Sequence, residues 1–351
     1  MTANAPPRRD IKDLTSDQLV QWLGDNGIAP YRAGQILRWI HQRQVDRFAD
    51  MTDLSKSIRA LLASRFTIER LSVEQIQTSA DGSQKFLLRL ADDRFIESVL
   101  IPEKGHWTLC LSSQVGCAQG CRFCATAAIG FSRHLAPGEI LAQVRDINRR
   151  LPDGQQVSNL VFMGMGEPLA NYANVRAAID IMTDSDCGMG FSARRITLST
   201  AGWLPRLADL GRDTDVNLAV SLNATDNPLR TRLMPINRRF PIEQLLSACR
   251  RFPLRPSRRI TFEYILLAGV NDSRRQARQL ATLLHGLRAK INLIPFNPHT
   301  GSPFAAPEEP VVQRFRDELV RRGYTVIVRR SKGRDIAAAC GQLSIQRNPR
   351  I

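Results

Sequence analysis

From residue 107 onward the chain alternates between two periods. Short apolar runs at residues 107–112, 160–163, 196–200, 216–222, 260–267 and 291–295 are each followed by a stretch with helical spacing. Those stretches fall at 139–150, 175–182, 204–210, 242–251, 273–284 and 311–322, and a last run at 324–328 closes the series. Strands separated by whole helices cannot pair as hairpins, so they pair in parallel under a helical cover. Right-handed crossovers curl such a sheet into a full or partial βα barrel. No other feature narrows the fold as far. It also places the chemistry, because reactive side chains of such barrels stand at the C-terminal ends of strands and in the loops that follow.

The region before it reads differently. Thr15 with Gln18 makes a capping-box start, and Leu19, Val20 and Leu23 follow at helical spacing. Ile36, Trp39 and Ile40 mark a second helix, and Ile58, Leu61 and Leu62 a third. Residues 73–78, 86–90 and 95–101 read as strands, with Asp81 and Gly82 in the turn between the first two. The predicted organisation is a small helical domain over 1–72, a β-hairpin linker over 73–105 and a barrel over 106–351.

With 43% hydrophobic and 23% charged residues among 351, disorder is excluded as the main state. The net charge of +16 favours a polyanionic partner, most simply nucleic acid. It is concentrated in two blocks. Residues 229–259 hold nine arginines against one acidic residue, and residues 311–351 hold ten basic against three acidic residues. Both blocks are expected to border the barrel mouth. Residues 1–10 lack the apolar stretch of a signal peptide, and no run approaches the roughly 20 apolar residues of a membrane helix. The expectation is a cytoplasmic protein with no membrane partner. Seven cysteines, an odd number, point to metal or catalysis rather than a disulfide framework.

Cys117, Cys121 and Cys124 follow the first barrel strand with the spacing C-x3-C-x2-C. Three thiolates so close can wrap one side of an iron–sulfur cluster, which normally takes four. No fourth cysteine follows at short spacing, and an open metal position is what a reactive centre needs. Gly116 and Gly120 permit the tight backbone. The alternative is a structural zinc site with Cys187 or a histidine as fourth ligand. Gly166 and Glu167 follow the second strand and place a carboxylate at a strand end. Ser199, Ser221, Asn223 and Asn297 follow later strands as small polar groups at strand ends. Cys187 and Cys249 match no motif and read as structural. His106, His134 and His299 read as loop residues.

The triplet, with Phe123 before its third cysteine, resembles the radical S-adenosylmethionine superfamily. Residues 330–343 (RSKGRDIAAACGQL), 108–117 (TLCLSSQVGC), 163–169 (MGMGEPL) and 31–36 (YRAGQI) resemble the RlmN/Cfr family of RNA adenine methyltransferases. The resemblance covers roughly residues 11–345. It implies a partial (βα)6 barrel, an α/β fold of radical-SAM type with a small N-terminal helical accessory domain and a short β linker. It further implies one 4Fe-4S cluster on Cys117, Cys121 and Cys124. S-adenosylmethionine would be bound by Gly166, Glu167, Ser199, Ser221, Asn223 and Asn297. The family usually has histidine where Asn223 stands, and asparagine can still donate and accept.

The chemistry implied by the resemblance uses two S-adenosylmethionine molecules. One methylates Cys340, and the other yields a 5′-deoxyadenosyl radical that removes hydrogen from that methyl. The carbon radical adds to adenine, and Cys110 resolves the adduct through a transient disulfide with Cys340. Glu97 matches the family's base for the ring proton, a role also considered for Cys110. The implied partners are 23S ribosomal RNA, tRNA and an electron donor such as flavodoxin, with the enzyme a monomer. The implied product is C2-methyladenine. C8 methylation is the close alternative, and a non-catalytic metal-cluster RNA-binding protein is the alternative of another class.

Overall fold

The computed structural model describes residues 8–345. Three helices open it: α1 (Ser16–Asp25), α2 (Arg32–His41) and α3 (Lys56–Arg65). The capping box at α1 is formed, with Thr15 Oγ1 accepting from Gln18 N at 3.2 Å and Gln18 Oε1 from Thr15 N at 3.0 Å.

Ten strands then form one sheet. They are β1 (Ser72–Thr78), β2 (Gln84–Arg89), β3 (Phe95–Glu103), β4 (His106–Cys110), β5 (Val157–Phe162), β6 (Ile196–Thr200), β7 (Asn217–Ser221), β8 (Ile260–Leu266), β9 (Ala289–Pro295) and β10 (Val326–Val328). Their order in space is their order in the chain. From β1 to β4 neighbours run antiparallel, and from β4 to β10 they run parallel. Helices α4 (Pro137–Asn148), α5 (Tyr172–Thr183), α6 (Leu207–Asp213), α7 (Ile242–Arg251), α8 (Arg274–Leu283) and α9 (Glu309–Arg321) follow β4 to β9 in turn.

These are the six strand–helix units read from the sequence. In the sheet order β10 pairs with β9 and not with β4, so the barrel is partial. Strands β1 to β3, read as a linker, extend the barrel sheet through β3 and β4, with Leu100 opposite Leu109. Central-strand residues Leu160, Leu198, Phe262 and Leu293 are fully buried, each burial worth about 2 kcal/mol.

The helical domain docks on α4. Arg145, 1% exposed, donates from Nη2 to the carbonyls of Gln44 and Val45 and to Asp46. Asp146 accepts from Leu71 N at 2.8 Å, and Asp13 from Gly138 N at 2.9 Å. These bonds satisfy buried polar groups and fix the domain against the barrel. No described helix is long and apolar enough to cross a membrane.

The basic blocks do not both lie at the mouth, which corrects the sequence reading. Arg230 is fully buried and donates to the carbonyls of Ala201, Ser221 and Leu222. Arg255 and Arg258 bond Asp215, just before β7, and so sit at the opposite end of the barrel. Arg232, Arg238 and Arg239 remain exposed after β7. In the second block Arg321 and Arg322 bond Glu318 near the end of α9, while Arg329, Arg330 and Lys332 follow β10. Arg347 and Arg350 lie outside the described residues. A βα helix runs back along its strand, so one basic stretch visits both ends.

His41, 3% exposed at the end of α2, has no hydrogen-bond partner on either ring nitrogen. Burial pushes it from 6.5 down to about 3, with Lys12 and Arg145 repelling an added proton. The unfolded chain takes up that proton near pH 6.5 and the folded chain does not. Its contribution to stability is whole above that pH and is lost as pH falls, by about 1.4 kcal/mol per unit. Denaturant unfolding at pH 7 and pH 5 is expected to differ by about 2 kcal/mol from this group. His41→Leu should remove that part of the difference, and an unchanged difference in the variant would contradict the account.

Candidate functional site

The cysteine loop leaves β4 and closes on itself. Gln114–Gly116 pairs antiparallel with Phe131–His134, and Cys117 N donates to Gly130 O at 2.9 Å. The closure requires Gly116. Its φ is +75°, and a Cβ there would lie 1.8 Å from the Gly130 carbonyl oxygen. Phe123 is buried with Leu233, Met234, Ile236, Leu267 and Phe296, which anchors the loop over the strand ends.

Cys117, Cys121 and Cys124 line one cavity of about 140 Å³. Burial pushes the Cys117 thiol up to about 12 and Cys121 well up. Thiols held in this way ionise when a metal takes the place of the proton. Among the described residues no three His, Cys, Asp or Glu side chains converge as ligands of a single ion do. Cys187 lies against α2, where Arg38 donates to its Sγ at 3.5 Å, and no histidine lines the cavity. Neither fourth ligand expected for zinc, Cys187 or a histidine, is at this cavity, and three thiols around it suit a cluster with one open iron.

The same cavity is lined by Gly166, Glu167, Ser199 and Ser221. Gly166 has φ +102°, and a Cβ there would lie 2.6 Å from Gln114. That close approach lets Glu167 N donate to Gln114 Oε1 at 2.8 Å. The Glu167 carboxylate is 2% exposed and accepts from Ala201 N at 2.7 Å and Leu169 N at 3.0 Å. Burial raises it to about 7, against the pull of those amides.

Asn223 and Asn297 stand behind this wall. Asn223 has φ +57°, a left-handed conformation asparagine tolerates, and its Oδ1 accepts from Ile265 N at 2.8 Å. Asn297 donates to Ser331 Oγ at 2.9 Å and to the Cys340 carbonyl at 3.3 Å. Its amide holds the C-terminal segment.

A second cavity, about 290 Å³, adjoins the first. Cys110, Arg329, Arg330, Lys332 and Cys340 are in its wall. Cys340 lines both cavities, as do Cys124, Met163, Gly164 and Gly341. Cys110 and Cys340 are free thiols. Burial pushes Cys110 up to about 12 and raises Cys340, while the Arg329 guanidinium opposes the rise at both. Glu97 lines neither cavity. It is 1% exposed, paired with Lys85 at 3.2 Å, and accepts from Ser344 N at 2.9 Å.

Sequence reasoning missed Glu263 and Arg329. Glu263 lies in the first cavity's wall, accepts from Ser199 Oγ at 3.2 Å and leaves Oε1 unpartnered. A carboxylate inside the apolar run 260–267 was the available signal. Arg329 lies inside the basic block at 311–351, where nothing local distinguishes it from its neighbours.

A family model for the radical SAM superfamily matches residues 111–281. A second, for the ribosomal RNA large subunit methyltransferase N-terminal domain, matches residues 9–68. The dual-specificity RNA methyltransferase RlmN of Desulfosudis oleivorans is 54% identical over 344 residues, 98% of this chain and 92% of that protein. That of Geobacter sulfurreducens is 52% identical over 334 residues, 95% of this chain and 91% of that protein. A crystal structure of a radical SAM methyltransferase from Sphaerobacter thermophilus matches with a TM-score of 0.89 at 44% identity, covering 95% of this chain and 99% of that one. With its barrel, its three-thiol loop and these relatives, the chain belongs to the RlmN family of radical S-adenosylmethionine RNA methyltransferases, enzymes whose cofactors are one 4Fe-4S cluster and S-adenosylmethionine.

Proposed function

We propose that this enzyme methylates C2 of an adenine in 23S ribosomal RNA and of an adenine in tRNA, with Cys340 carrying the methyl group. The observation that carries this reading is that Cys340 lines both cavities. A carrier must meet the methyl donor on one side and the acceptor base on the other. The cluster and S-adenosylmethionine supply, when bound, the methyl group and a 5′-deoxyadenosyl radical.

The chain's own residues supply the rest. Cys117, Cys121 and Cys124 hold the cluster. Gly166, Glu167, Ser199 and Ser221 hold the cofactor, and a carboxylate among backbone amides suits its ammonium group. Asn223 and Asn297 act from behind, by shaping β8 and holding the Cys340 backbone. Arg329 favours a Cys340 thiolate, the form that attacks a methyl sulfonium. Cys110 shares the larger cavity with Cys340, where a transient disulfide would form. Glu97 takes the ring proton once the segment covering it shifts.

The adenine enters the larger cavity flipped from its stack, past Arg330 and Lys332, which suit phosphate. The helical domain over 1–72 meets RNA by shape. On it Tyr31 is exposed and carries the Arg32 guanidinium 4.8 Å from its ring centre. Reductive cleavage needs one electron, for which a flavodoxin-type donor serves. The enzyme works as a cytoplasmic monomer.

Anaerobically purified protein is expected to be brown, with about four iron and four sulfide per chain, and Cys117→Ala to be colourless. Zinc in place of iron would overturn the reading. Mass spectrometry of adenine from ribosomal RNA, treated with and without the enzyme, should show a methyl group at C2. Methylation at C8 would give the family's other regiochemistry, and none would remove the activity. Cys340→Ala should abolish methyl transfer and keep its iron, whereas undiminished turnover would exclude the carrier. Cys110→Ala should accumulate a covalent protein–RNA adduct, and clean product release would show that another group resolves it.

A further inference from the structure

Strand β2 carries a lysine where the sheet offers it no water. Lys85 is 4% exposed and is followed by Phe86, Leu87 and Leu88, all buried. Its Nζ lies 3.2 Å from Glu97 Oε1 on the adjacent antiparallel strand β3. The register pairs Leu87 with Glu97 and Lys85 with Val99, so the two charged residues are diagonal neighbours on one face. An apolar residue at 85 would fill the same space, and replacing a buried ion pair with apolar groups is often neutral or stabilising. Packing therefore gives no reason for the lysine.

The pair touches both ends of the segment that carries Cys340. Lys85 Nζ donates to Ala337 O at 3.4 Å, and Glu97 Oε2 accepts from Ser344 N at 2.9 Å. Between these two points the chain delivers Cys340 to the cavity wall. Oε2 meets the Cys340 segment and Oε1 meets Lys85, so the bond to Lys85 does not depend on the bond from Ser344. A buried carboxylate without water needs an opposite charge beside it, and Lys85 is that charge.

We propose that Lys85 is a positioning residue whose ion pair holds the Glu97 carboxylate in place and directed at the Cys340 segment, so that Glu97 can take the adenine ring proton. This rests on the reading of Glu97 as the base. The step it serves moves one proton from the ring carbon to a Glu97 oxygen, and the electron pair of that C–H bond stays on the ring. Lys85 gives up no proton and touches neither RNA nor cofactor. Its effect is confined to the second half of the reaction, because methylation of Cys340 needs no ring base.

The test uses the reconstituted full-length enzyme with Lys85→Met, Lys85→Arg and Glu97→Gln. Three quantities are read: methylation of Cys340 by intact mass, covalent protein–RNA adduct on a denaturing gel, and methyladenine released. Lys85→Met is expected to methylate Cys340 normally, accumulate adduct and lose about 100-fold or more in product, the scale of a lost general base. Lys85→Arg, which keeps the charge, should recover most of the product. Lys85→Met releasing product at the wild-type rate would overturn the proposal. So would loss of Cys340 methylation in Lys85→Met, which would mark the lysine as merely structural. Glu97→Gln should stall at the same adduct. If it turns over normally, the reading of Glu97 as base falls, and the role of Lys85 with it.

Discussion

One thiol has to face two chambers, and most of the reactive end is arranged around that demand. Two unrelated parts of the chain hold the Cys340 segment in place. Gly341 O accepts from Ala125 N at 2.7 Å, and Leu343 O from Thr126 Oγ1 at 2.7 Å, both just after the third cluster cysteine. Asn297, beyond β9, holds the carbonyl of Cys340 itself. The cysteine loop and Cys340 are therefore positioned by the same bonds. A loop that failed to close at Gly116 would displace both.

Much of this was legible in the sequence, and the reasons differ by feature. The six strand–helix units were readable because period and length are local properties of the chain. So was the α1 cap, whose two hydrogen bonds join residues three apart. The three thiols, Gly166, Glu167, Ser199 and Ser221, found by counting strand ends, line one cavity. Counting fixes where a Cα sits and not where its side chain points. Asn223 and Asn297 occupy strand ends of the same kind, yet their amides are engaged by backbone and Ser331. The proximity of Cys110 and Cys340 joins residues 230 apart in the chain, and no local pattern encodes it.

Charge was the least legible feature. A dense arginine block suggested one continuous basic surface. In the fold Arg230 is interior, bracing the loops after β6 and β7, and Arg255 and Arg258 tie down the far end of the barrel. Net charge thus described the partner class better than it described any single surface. Arg329 shows the cost of averaging. Within a block it looked like one of many RNA contacts, and in the structure it stands among Cys110, Cys340 and Glu263.

The agreement between strand order in space and strand order in the chain bears on how the molecule is made. As synthesis proceeds, each new barrel strand finds its neighbour already laid down. The last segment departs from this rule and returns to the first strands, with Gly333 N bonded to Asp81, and Asp335 to Ser79 and Ala80. The proposed carrier is fitted only when residues 333–335 meet the oldest edge of the sheet. A chain unfinished on the ribosome already holds Cys117, Cys121 and Cys124, but it lacks the thiol proposed to take the methyl group.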